Sequence, residues 1–134
     1  MRRFLLVLAA LAAVRAHGAS FYLTVSGLGG EQEYEQRFSG WAADIDRVLK
    51  SLPADAASVT LKGPEATKAK VQASLADFGK KATAQDILVV MLIGHGTYDG
   101  TDYKFNVPGP DVSATDLASF MDKVPAGKQL VVNM

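Results

Sequence analysis

Asp86-Ile87-Leu88-Val89-Val90-Met91-Leu92-Ile93-Gly94-His95-Gly96-Thr97 is the stretch on which the fold turns. Its apolar run has the length and β-branched content of a strand buried on both faces, as in a parallel sheet covered by helices. The run stops at a histidine set between two glycines, which remove the Cβ atoms that would crowd the imidazole and let the backbone turn sharply. Open α/β sheets place their ligands at the carboxyl ends of central strands, where this histidine falls. His95 reads in two ways: as a strand cap bonded to a loop, or as a chemical group at a crevice.

Outward from this strand, Ser20–Ser26 reads as a first strand and Gly27-Leu28-Gly29-Gly30 as the turn after it. Tyr34, Phe38, Trp41, Ile45, Val48, Leu49 and Leu52 then form one apolar face of a helix closed by Pro53. Ser58–Leu61 is a short second strand. Gly63-Pro64 opens a second helix, with Val71, Leu75 and Phe78 on its buried side. Beyond His95, residues 97–112 read as a long polar loop with a tight turn at Asp99-Gly100 and a short strand within Tyr103–Val107. Ser113-Ala114-Thr115-Asp116 matches a helix capping box ahead of Leu117, Phe120, Met121 and Val124. Pro125 and Gly127 end that helix, and Lys128–Met134 reads as a buried fourth strand.

Alternating strands and helices predict an α/β fold, a three-layer α/β/α sandwich with a mostly parallel sheet. Right-handed crossovers favour the strand order 2-1-3-4, which puts the Gly27–Gly30 turn and His95 in one crevice. The sequence stops where the fourth strand should pass into a loop, so the fold is expected to be C-terminally truncated, with strand four open along one edge.

Residues 1–18 have the layout of a secretory signal: Met1-Arg2-Arg3, an apolar core from Phe4 to Val14, and small residues near Gly18. The apolar core is shorter than the ~20 residues of a spanning helix; an uncleaved anchor is the competing reading. The expected organisation is therefore a signal over 1–18 and one α/β domain over 19–134, in an exported protein of the periplasm or exterior, with no stable membrane insertion after cleavage. Without its first 18 residues the chain carries 11 basic and 14 acidic side chains, and no basic stripe that would suit nucleic acid. It has no cysteine, so its stability is expected from the core alone.

Three chemistries compete near the strand ends. The Gly27–Gly30 turn lacks the sixth-position glycine of a dinucleotide fingerprint, which is Gln32 here, and Glu31, Glu33 and Glu35 would repel a pyrophosphate. Those acids suit the positive end of the helix dipole instead. A metal site is not expected: one histidine remains in the mature chain, and Asp99, Asp102 and Asp111 have no ligand spacing and read as loop acids. Ser26 and His95 would share neighbouring strand ends, but Ser26 lacks the Gly-x-Ser-x-Gly setting of a nucleophile elbow.

The order Leu92-Ile93-Gly94-His95-Gly96-Thr97, an Asp/Gly-rich loop, Val107-Pro108-Gly109-Pro110-Asp111, a capped helix, Pro125-Ala126-Gly127-Lys128 and Leu130-Val131-Val132 resembles the caspase-haemoglobinase fold of cysteine peptidases: caspases, metacaspases, legumains and gingipains. The resemblance covers roughly residues 20–134, and its specific parts are the Gly-His-Gly segment and the order of elements. It implies that His95 is the catalytic histidine, that the Gly96 N–H helps bind an oxyanion, and that a cysteine follows strand four. In caspases that cysteine lies about 50 residues after the histidine. His95 is 39 residues from Met134, so the expected nucleophile falls beyond residue 134, and Asn133-Met134 does not match the acidic-serine pair that precedes it in metacaspases. The resemblance implies a peptide or protein substrate and no cofactor. The turn containing Gly27 and Gly29 and the loop containing Asp99 would wall the substrate site, with Asp99 and Asp102 favouring a basic residue at the cleavage point. The alternative from another class is a non-catalytic binding module that keeps the scaffold and has lost the chemistry.

Overall fold

Residues 18–134 are described by the computed structural model, and the expected signal, apart from its last residue Gly18, lies outside the described residues. Four strands pair in parallel: β1 (Ser20–Ser26), β2 (Ala56–Leu61), β3 (Ile87–Ile93) and β7 (Lys128–Asn133). Their order is β2-β1-β3-β7, the 2-1-3-4 arrangement expected from alternating elements and right-handed crossovers. Three helices connect them: α1 (Gln32–Lys50), α2 (Lys68–Gly79) and α3 (Ala114–Met121).

Strand alternation sorts the core into two faces. Phe21, Leu23 and Val25 of β1 and Leu88, Val90 and Leu92 of β3 pack with Val71, Leu75 and Phe78 of α2 and Leu117, Phe120 and Met121 of α3. The Phe21 and Phe78 rings meet with centroids 5.1 Å apart. On the opposite face Ile93 packs with Phe38, Ala42 and Ile45 of α1, and the Thr60 hydroxyl of β2 donates to the Asp46 carboxylate of α1 at 2.8 Å. Helices therefore stand on both faces of a mixed α/β domain.

Several sequence expectations shift in detail. The second helix begins at Lys68, not at Gly63-Pro64: Gly63–Glu65 forms a separate 3-10 turn, and Thr67 caps α2 by accepting from the Lys70 N–H. Only Phe38 and Ala42 of α1 are buried, while Tyr34, Trp41, Val48 and Leu52 stay exposed. The contact face centres on Phe38 and Ala42, with Asp46 turned to β2; Trp41 and Val48 lie on the flank away from β2, toward β3 and β7, and stay uncovered there. Residues 97–112 are not all loop. They hold most of a small antiparallel sheet ordered β4-β5-β6, made of β4 (Gly96–Tyr98), β5 (Tyr103–Phe105) and β6 (Val112–Ser113). β7 forms as a strand but is largely exposed, with Leu130 at 55% and Val131 at 43%: it is the outermost strand, paired on one side by β3, and neither of its faces is fully covered.

Candidate functional site

His95 follows β3, and its ring sits at the carboxyl end of the sheet against the first turns of α1. The imidazole meets the Tyr34 and Phe38 rings edge-on, each with centroids 5.1 Å away. The topology dictates this seat: α1 starts at the carboxyl end of β1, so side chains one turn apart on its inner face stand over the end of β3. The histidine is exposed, and among the described residues no hydrogen bond engages either ring nitrogen. Both remain available to solvent or to a ligand.

The backbone around His95 is braced from two sides. Toward β1, the Gly27 N–H donates to Ile93 O (2.8 Å), the Leu28 N–H to Asn106 O (2.9 Å) and the Asn106 N–H to His95 O (3.0 Å). Toward β7, the Gly94 N–H donates to Met134 O (3.0 Å) and the Met134 N–H to Leu92 O (2.8 Å). Gly94 has φ of 153°, in the region that favours glycine. A Cβ there would lie 3.1 Å from the Phe105 ring and 3.3 Å from Gly27 Cα.

Gly96 faces Phe105 across the β4–β5 pair. The bond from Asn106 N–H to His95 O makes this a non-hydrogen-bonded pair, so the Gly96 N–H points away from β5. This leaves a backbone donor directed out of its ladder one residue from the exposed imidazole. A side chain at Gly96 would collide with the Tyr103 ring. Beside this corner a groove of about 490 Å³ opens between α3 and β7, lined by Leu92, Tyr103, Phe105, Leu117, Val131 and Asn133 among others.

The residues expected to line a substrate site have structural employment of their own. A Cβ on Gly27 would lie 2.5 Å from Asn106 O, and one on Gly29 would run into the backbone of α1 at Tyr34 and Glu35. The Gly29 N–H donates to the Glu35 carboxylate at 2.7 Å. Asp99 Oδ1 accepts from the N–H groups of Thr101 and Asp102, both at 2.9 Å, and Oδ2 pairs with Lys104 Nζ at 3.1 Å. The Asp102 N–H, then that of Thr101 and the Lys104 ammonium, hold the Asp99 carboxyl down at about 2. Its charge is thus committed to closing the β4–β5 hairpin. Asp111 accepts from the Val107 N–H and the Asn106 side chain within its own loop, whereas Asp102 accepts from the Thr115 N–H (3.4 Å) and so ties the hairpin to the first turn of α3.

Ser26 is buried, and among the described residues no hydrogen bond joins its hydroxyl to His95. Nor do the described residues include three or more His, Cys, Asp or Glu side chains grouped to hold a metal ion. No helix among them is long and apolar enough to cross a membrane. The sequence reading missed Tyr34 and Phe38 as neighbours of His95, taking them only as positions on the apolar face of a helix, and gave Tyr103, Asn106 and Asn133 no part in the site. The start of α1 at the end of a strand adjacent to β3 was the available signal for the first two. No protein-family model matches this chain, and no curated protein matches it.

Proposed function

We propose that this protein is an exported cysteine endopeptidase with a caspase-like three-layer sandwich, in which His95 is the proton shuttle and Gly96 an oxyanion donor. One observation carries the reading: an exposed imidazole at the carboxyl end of the central strand, followed at once by a backbone N–H turned out of its ladder, beside the end of β7. In this reading the thiol belongs to a cysteine that follows β7, beyond residue 134. The thiolate attacks the scissile carbonyl carbon, and the carbonyl oxygen gains negative charge opposite the Gly96 N–H. Imidazolium at His95 protonates the departing amine as the C–N bond breaks. The neutral imidazole then takes a proton from water, whose oxygen attacks the thioester and releases the acid and the thiolate. One preorganised oxyanion donor is typically worth about 3–4 kcal/mol. The turn at Gly27 and Gly29 and the β4–β5 hairpin closed by Asp99 form the walls along which a peptide lies.

The test is hydrolysis of a mixed-sequence peptide library by the protein purified from the exported fraction of its own cell. Thiol-dependent cleavage is expected, and His95→Ala should lower kcat/KM by about 10²-fold or more, the scale of a lost general acid–base. The thermal midpoint should scarcely move, because His95 is exposed. Full activity in His95→Ala overturns the role of the imidazole. Peptide binding without hydrolysis by the wild-type protein supports the non-catalytic binding module instead.

A further inference from the structure

We infer that Tyr103 is a positioning residue that fixes the Gly96 N–H relative to the end of β7, acting through Asn133; the inference rests on the peptidase reading. The Tyr103 ring fills the space over Gly96 where any Cβ would stand. Its hydroxyl accepts a hydrogen bond from Asn133 Nδ2 at 3.1 Å. Asn133 is the last residue of β7 and lies in register with Leu92 of β3. The next residue, Met134, accepts from the Gly94 N–H. These contacts close a ring through Gly94, Met134, Asn133, Tyr103 and Gly96, with His95 inside the short arc between the two glycines. Three parts of the proposed reaction thus share one frame: the imidazole, the oxyanion donor and the strand end after which the thiol follows. The main-chain bond of Asn106 to His95 fixes the root of the hairpin, whereas the Tyr103–Asn133 bond ties its body to β7. Donor placement matters because a preorganised donor acts only on the position the oxyanion will occupy.

Tyr103→Phe keeps the ring over Gly96 and removes only the bond to Asn133; Asn133→Ala removes the same bond from the other side. Each is expected to lower kcat for a cleaved peptide about five- to tenfold, the scale of one uncharged hydrogen bond, with KM within about twofold of wild type. The double variant should be no slower than either single one. Asn133→Asp, in which the Tyr103 hydroxyl donates to a carboxylate, should restore kcat, and Tyr103→Phe carries the loss-of-bond test by itself if Asn133→Ala does not fold. Wild-type kcat in Tyr103→Phe, or losses that multiply in the double variant, overturn the positioning role and leave the peptidase reading intact. A wild-type protein without thiol-dependent turnover overturns that reading, and this inference falls with it.

Discussion

The Thr24 hydroxyl is fully buried in the middle of β1 and has no hydrogen-bond partner among the described residues. A buried hydroxyl left unpaired has lost its water without replacement, a cost of about 1–3 kcal/mol on protein mutational scales. Thr24→Val keeps the β-branched shape in a strand and removes the unpaired group. It should raise stability by about 1 kcal/mol, read as a higher denaturant midpoint with an unchanged slope. A lower midpoint would mean that the hydroxyl has a partner after all. His95 shows the reverse case, a polar ring left free at an exposed strand end. Its glycine neighbours made it legible in the sequence, since few other settings put Gly on both sides of a histidine after so apolar a run. Its aromatic seat was not legible, because contacts between residues 34, 38 and 95 depend on where a helix crosses a strand end. Asp99 was legible as a turn residue. Its pairing with Lys104 was hidden because β4, the strand that pairs with β5 and closes the hairpin, was not itself evident.

Among the elements, α3 is the one whose start the sequence specifies most fully. The Asp116 N–H donates to the Ser113 hydroxyl at 3.0 Å and the Ser113 N–H donates to the Asp116 carboxylate at 3.1 Å, the reciprocal pair of a capping box. Lys68 of α2 adds an ion pair to the same Asp116 carboxylate at 2.6 Å. Ser113→Ala removes one side of the box and should cost about 1 kcal/mol by thermal or denaturant melting; a loss within a few tenths would show that Asp116 alone holds the first turn. The parallel strands and the cores of α2 and α3 were readable because each carries enough apolar residues to show a period. β4 and β6, with three and two residues, are too short for any period to register. Their pairing rests on the backbone corner at Gly94–Gly96 and on Asn106. The apolar stripe of α1 was readable as a stripe, but its width overstated its burial: periodicity reports which side of a helix is apolar, not how much of it a neighbour covers.

At the scale of the molecule, Asp86 ties together the amino ends of the central strands. Its buried carboxylate accepts from the Ala19 N–H ahead of β1 at 2.6 Å and from the Thr83 N–H in the loop before β3 at 2.7 Å. The Thr83 N–H is the main cause that holds its carboxyl below the usual carboxylate range, with the Ala19 N–H adding to it against the effect of burial. A carboxyl lowered on folding contributes stability that is fully present above its unfolded value, near 4, and is lost as pH falls through the lower folded value. Melts run between pH 7 and pH 2 should show this loss in the wild-type protein. Asp86→Asn should be about 1–3 kcal/mol less stable at pH 7, with a flatter curve in the acid range. Equal pH slopes for the two proteins would remove Asp86 from the account.

The parallel pairing of β1 with β3 has a kinetic consequence. Ser20 meets Ile87 at a separation of 67 positions along the chain, and no hairpin can shorten that search. Loop closure over such a span must be met before the pairing returns anything, which places the chain among slow, high-contact-order folders. A ribosome adding about 5–20 residues per second leaves β1 without its central partner for several seconds after it emerges. During that interval β2, made before β3, is the sheet partner that β1 can meet.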